Sequence, residues 1–259
     1  MSEVFSFFPV FKRELKQYLH SPGTYVSLAF FFFLSGAMFI GLMWEYADLS
    51  AQVASGTPLP ESEVPLNINI RVISQMFSLL NFLMLFLMPV LTMRLVAEER
   101  RSGSFELLVT TPLGDWDILL GKFLAALCVG IGVLALCGIY PAICAWYSNP
   151  EAGVIAACMV GLFLIITAYA AFGVFASALT DSQITAAVIS FVGLLIFHLV
   201  QFFLKSGRLG SIGSHLSIHF HSQNFTRGVL AFSDVIYFIA FAFFFLFMAA
   251  QTLDARKYR

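Results

Sequence analysis

Charge is scarce in this sequence. Only 11% of its 259 residues are Asp, Glu, Lys or Arg, while 59% are hydrophobic and 30 are Phe. A soluble domain of this length carries about a quarter charged residues. Charged side chains are costly in hydrocarbon, so their scarcity points to a bilayer. The formal net charge of −1 comes with no basic stripe and no aromatic-basic platform, which excludes nucleic acid as a partner. The four cysteines, Cys128, Cys137, Cys144 and Cys158, form no CxxC pair and lie in or beside apolar runs. They read as small buried residues, not as disulfides or metal ligands.

Catalytic motifs are missing too. A phosphate-binding loop needs GxxxxGK followed by Ser or Thr, because backbone amides and the lysine cradle phosphates. Here Gly121-Lys122 is followed by Phe123, and Gly114 stands at the wrong spacing. The chain is therefore expected to be no ATPase by itself, with no cofactor and no metal of its own. It has no GxSxG and no Asp or Glu in the middle of an apolar run, which argues against an intramembrane hydrolase and a proton relay. The N-terminus does not read as a signal peptide: the first apolar run begins at residue 24, is too long, and precedes no small-residue cleavage site.

What the sequence has is apolar runs of about 20 residues, enough to cross a bilayer. They lie at about 24–44, 75–95, 118–147, 153–179, 184–204 and 235–253. Pro89 is expected to bend the second and Pro141 to kink or break the third. Ten basic residues fall on one side: Lys12, Arg13, Lys16, Arg94, Arg100, Arg101, Lys122, Arg256, Lys257 and Arg259. Four fall on the other: Arg71, Lys205, Arg208 and Arg227. This bias predicts both termini in the cytoplasm. Before the first span, residues 5–21 place Phe8, Phe11, Leu15 and Tyr18 on one helical face and Lys12, Arg13 and Lys16 largely on the other. That pattern predicts a helix lying on the membrane lipid. The acidic, Pro/Ser-rich stretch 45–73 is expected to be irregular.

Two polar groupings lie outside this pattern. His215, His219 and His221 cluster between spans 5 and 6; the first two share a helical spacing, but no Cys or carboxylate is near them in the sequence. They read as polar surface histidines and not as a metal site. Around them, Ile212, Leu216 and Phe220, then Phe225 and Val229, suggest two short amphipathic helices at the outer interface. Asn81, His198 and Gln201 fall within spans and are expected to make packing hydrogen bonds.

The densest polar stretch is 96–122, where eight of 27 residues are charged. Arg94 to Arg101 is expected to continue span 2 as a solvated helix that Gly103 ends. Ser104 can cap a short following helix, with Glu106 near its positive end and Phe105, Leu107 and Leu108 on an apolar side. Thr110 to Gly114, containing Pro112, is a turn. Asp115 is expected to cap span 3.

This stretch, EERRSGSFELLVTTPLGDWDILLGKF, resembles the signature segment of type 2 ABC transporter permeases. FKRELKQYLHSPGTYV resembles their elbow helix, and SIHFHSQNFTRGVLAFSDVIYF the segment before their last span. The likeness is greatest to the gliding-motility type permease subgroup, and more distant to the nitrous-oxide-reductase maturation permease. It implies an all-α membrane protein: six transmembrane helices, an elbow helix, a cytoplasmic coupling helix between spans 2 and 3, and short extracytoplasmic helices between spans 5 and 6. It implies a bacterial inner-membrane permease working in a pair, with a second copy or a related permease. A separate cytoplasmic ABC ATPase would bind ATP and Mg and dock on the coupling segment. Carried onto this sequence, the docking residues are Glu98, Glu99, Arg100, Ser104, Phe105, Glu106, Leu107, Leu108, Pro112 and Asp115. Two other readings stay open at this point. A mechanotransmission or scaffold subunit would use the same ATPase and move no substrate. A secondary transporter would show inverted repeats or mid-span carboxylates.

Overall fold

The computed structural model describes residues 7–56, 67–101, 114–203, 213 and 215–257. All its regular elements are helical. α1 (Phe8–His20) leads at Ser21 into α2 (Pro22–Ala54). A π-helical turn, Asn69–Ser74, opens α3 (Gln75–Thr92), and a short α4 (Ala97–Arg101) follows. Then come α5 (Asp115–Cys137), α6 (Ile139–Tyr147), α7 (Ala152–Leu179), α8 (Gln183–Phe203), α9 (Ile218–Thr226) and α10 (Phe232–Lys257). Among the described residues, six helical stretches are long and apolar enough to cross a membrane.

The boundaries follow local chemistry. Pro22 sits in the first turn of α2, where its missing N–H costs nothing. The third apolar run, expected to kink or break near Pro141, breaks at Gly138 and restarts. Pro141 then falls in the first turn of α6, so the break precedes the proline by one turn, where the ring no longer clashes. α2 runs to Ala54, well into the stretch expected to be irregular.

α7 is the central helix, packed against α3, α5, α8, α9 and α10. Its small residues let neighbours approach closely. At Gly161 a Cβ would stand 2.5 Å from the Cβ of Phe225 on α9, so only glycine admits that contact. Aromatic rings lock its other flank: Phe172 meets Phe245 at 4.6 Å and edge-on, and Phe197 on α8 meets Phe241 on α10 at 5.2 Å. Such pairs add about 0.5–1.5 kcal/mol each beyond the area they bury. On the far side, Ser35 of α2 and Tyr140 of α6 share a 2.6 Å hydrogen bond. α2 and α8 are the least enclosed spans. An apolar cleft of about 540 Å³ opens between them and α3, lined by Phe30, Phe31, Phe86 and Phe191 among others.

α1, α4 and the start of α5 lie together at one end of the bundle, here termed the basic end. α9 and the start of α10 lie at the opposite end.

Candidate functional site

At the basic end, α1 packs along α5. The buried face of α1 is Val10, Glu14 and Tyr18, spaced by four. The face expected to be apolar is divided: Phe8 is 51% exposed, Phe11 and Leu15 are half-buried and Tyr18 is buried. At a bilayer interface Phe8 can face lipid while Glu14 turns toward protein. Gly121 on α5 makes the contact possible; a Cβ there would stand 2.9 Å from the Cβ of Val10.

Glu14 is thereby carried into the interior, where it meets Lys122. The lysine reads in sequence as one more cytoplasmic cation, yet it is only 1% exposed. Its Nζ donates to Glu14 Oε1 at 2.9 Å and to the Leu95 carbonyl. Nζ also lies 2.8 Å from Glu99 Oε2, an ion pair not aligned as a hydrogen bond. Arg13 donates to Glu14 Oε1 at 2.9 Å and to Glu99 Oε1. Two cations and two carboxylates thus balance. Burial by itself would lower the Arg13 guanidinium, but Glu14 and Glu99 outweigh it and raise it above its ordinary value.

Further bonds fix the same corner. The Tyr18 hydroxyl donates to the Leu91 carbonyl at 2.7 Å, and burial pushes this phenol up, which keeps it a donor. Arg94 reaches Ser21 Oγ at 2.7 Å and Thr24 Oγ1 at 3.3 Å. Ser177, near the end of α7, accepts the Val96 and Ala97 amides at 3.0 and 3.1 Å and donates to the Met93 carbonyl at 3.0 Å. It uses its full hydroxyl capacity. The stretch after span 2 is therefore not the solvated helix expected: the chain turns at residues 93–96, and Leu95, Val96 and Ala97 are buried.

The expected docking residues divide into three groups. Glu99 is held inside the ion-pair network, and Glu98 is partly buried beside it. Arg100 lies in α4, without its side chain being described. Ser104, Phe105, Glu106, Leu107, Leu108 and Pro112, and with them the expected coupling helix, lie outside the described residues. Asp115 is the first residue of α5 and not its cap. The Asp117 carboxylate takes that role by accepting the Gly114 amide at 3.3 Å. Sequence reading missed Glu14 altogether. Its one available signal was a carboxylate four residues from Tyr18 and from Val10, inside an otherwise basic helix.

The opposite end also differs from expectation. α9 buries Ile218, Ser222 and Phe225, and Leu216 and Phe220 are exposed, as the apolar stripe of an interfacial helix can be. His221 is not a surface histidine; a carboxylate, that of Asp234, lies 2.6 Å from its Nδ1. The His219 ring lies 5.1 Å from that of His198, tilted at 55°, and its Nε2 takes an N–H from Gln223 at 3.0 Å. Burial lowers the His219 imidazole. His198 Nδ1 and Asn81 Oδ1 are buried and make no hydrogen bond with the described residues, so the packing bonds expected there are not formed by these atoms.

The model of a protein family described as ABC-2 family transporter protein matches residues 8–208. A search of curated proteins finds no match. The matched range runs from the first residue of α1 through the ion-pair corner and five of the six apolar stretches, so the chain, a multi-pass membrane protein, belongs to the ABC-2 family of transporter proteins.

Proposed function

We propose that this chain is the permease subunit of an ABC exporter, driven by a separate cytoplasmic ATPase that docks on residues 98–117. The supporting observation is the Arg13–Glu14–Glu99–Lys122 network. It joins α1 to both chain segments that flank residues 102–113, through Glu99 on one side and Lys122 on the other. A push on the intervening segment then moves α1, α4 and α5 as one block, which is what a lever between an ATPase and membrane helices requires. Both arrangements of the spans must already be accessible, with ATP binding biasing the balance.

In this reading ATP and Mg belong to the partner, the basic end faces the cytoplasm, and the membrane is the bacterial inner membrane. A second copy, or a related permease, faces the weakly enclosed side formed by α2 and α8. Phe105, Leu107 and Leu108 are the apolar anchors for the ATPase, and Glu98, Arg100, Ser104, Glu106, Pro112 and Asp115 shape the docking segment. Glu99 has a different role: it holds the segment's base.

The experiment separates docking from holding. Leu107→Ala and Glu98→Arg should weaken co-purification of the ATPase. Glu99→Gln should leave co-purification intact but lower the stimulation of ATP hydrolysis in the complex. Normal association and coupling in Leu107→Ala and Glu98→Arg together would refute the docking reading.

A further inference from the structure

At the end opposite the ion-pair network, α9 is wedged among α3, α7, α8 and the start of α10. Four polar contacts hold its flanks. Ser217 Oγ accepts the Phe220 amide as a helix cap and donates to the His198 carbonyl of α8 at 3.4 Å. Tyr237 of α10 donates to the Leu216 carbonyl at 2.8 Å. Asn224 donates from Nδ2 to Asp234 Oδ2 at 2.7 Å. The fourth contact is His221 itself.

The His221 ring is 7% exposed and Asp234 2% exposed. Nδ1 faces Asp234 Oδ1 at 2.6 Å, and Nε2 faces the His215 carbonyl at 3.2 Å. A carbonyl only accepts, so Nε2 carries a proton. A carboxylate only accepts, so the short Nδ1···Oδ1 contact needs a proton as well, whether it resides on nitrogen or on oxygen. Two titratable protons therefore sit on the two side chains, where a neutral imidazole beside a carboxylate would hold one. The Tyr237 ring stacks on the imidazole at 4.1 Å and 17°, a geometry that suits a cationic ring.

We propose that His221 and Asp234 form a proton-held latch that pins α9 against the end of α10. Losing the proton leaves either Nδ1 or Nε2 facing an acceptor with a bare lone pair. One of the two ring contacts is then lost, and the hold of α10 on α9 is loosened to the Asn224 and Tyr237 bonds.

The other titratable groups around α9 do not replace this proton. In its own segment, His215 presents its carbonyl, burial lowers the His219 imidazole, and Arg227 is exposed. α8 contributes His198, whose ring lies 5.1 Å from that of His219. α7 contributes the Cys158 thiol, which donates to the Phe225 carbonyl at 3.4 Å, and Tyr169. α10 contributes Asp234 and Tyr237, and α3 carries no titratable group. Asp234 thus has His221 as its one cationic partner among the described residues. In the orientation proposed above, the latch lies at the outer end of the bundle; the inference about the proton itself does not depend on that orientation.

Cys158 is a native reporter, because α9 covers it and it is 2% exposed. Thiol labelling of Cys158 is followed by peptide mass spectrometry in the full chain and in Asp234→Asn, at about pH 5 and about pH 8, the two sides of the range in which an imidazole changes charge. Taking the ratio of the two proteins at each pH cancels the pH dependence of thiol reactivity. Asp234→Asn should label about tenfold faster than wild type at the lower pH, the loss expected for a hydrogen bond to a charged group. The ratio should fall toward one at the higher pH. A ratio that is unity at both, or equally large at both, overturns the latch. Nitrogen and carbon NMR of the unmutated chain, with the ring assigned by difference from His221→Gln, counts the protons directly. Two on the pair at the lower pH are expected, and one would overturn the proposal even if Asp234→Asn failed to fold.

Discussion

Lys122→Met tests whether the basic end is held by its ion pairs. Methionine fills nearly the same volume, so the change is chiefly one of charge. Lys122 Nζ lies 2.9 Å from Glu14 Oε1 and 2.8 Å from Glu99 Oε2, which puts those two oxygens no more than about 6 Å apart. With the ammonium gone, their mutual repulsion at an effective dielectric constant near 20 is about 3 kcal/mol. The Leu95 carbonyl also loses its donor. Arg13, half exposed, still bridges the two carboxylates and offsets part of this, so the figure is an upper value. Breaking a buried pair by removing one partner costs about 3–5 kcal/mol in general, and both routes agree on that scale. For a chain of this size each kcal/mol moves a melting point by about 2–4 °C, so the apparent Tm in detergent should fall by roughly 6–20 °C. Adding Glu14→Gln to Lys122→Met removes one of the two carboxylates and restores the balance of charge with Arg13 and Glu99. The double variant should recover at least about 1 kcal/mol relative to the sum of the two single losses. Additive losses, or a Lys122→Met protein that melts like wild type, would refute the reasoning.

Ser177→Ala leaves the Val96 and Ala97 amides without their shared acceptor. It should cost about 1–3 kcal/mol, visible as faster hydrogen exchange confined to those two amides and their neighbours. Gly161→Leu pushes against Phe225 and should cost about 1–3 kcal/mol by overpacking, while raising the labelling rate of Cys158 at every pH. The chain purified without any partner should hydrolyse no ATP, since it has no phosphate-binding loop; a phosphate-release assay on a preparation free of ATPase subunits checks this.

The six apolar stretches are legible because hydropathy over about 20 residues is a local property of the chain. Their true ends are less so, since hydropathy registers bilayer thickness and not where a helix stops. α2 has 33 residues, or about 50 Å at 1.5 Å per residue, and so outruns the hydrocarbon that identifies it. The ion-pair corner was hidden for another reason. Glu14 and Lys122 stand 108 positions apart, and neither has a local feature that names the other. Periodicity gave α1 an apolar and a basic face for a membrane surface, and an exposed Phe8 agrees with that. It gave no sign that Glu14 turns inward toward protein. The same holds for His221: its carboxylate partner comes from the next span, across a segment whose own pattern suggested a surface helix.

The two ends of the bundle use polar contacts differently from its middle. Between them the contacts are aromatic rings and close-packed glycines on α7, which resist separation but specify no switch. At each end a short helix is tied to span termini by charge. At the basic end the charges are fixed, with Lys122 fully enclosed by carboxylates and a carbonyl. An enclosed, balanced network moves as a unit, because opening it exposes a buried charge at a cost of several kcal/mol. At the opposite end the charge depends on one proton, and the contact it secures is correspondingly conditional. α7 touches both corners directly, through Ser177 at one and through Gly161 and Cys158 at the other. A displacement imposed on the rigid corner therefore reaches α9 through a single helix, and the contact that can yield first is the one that holds the proton.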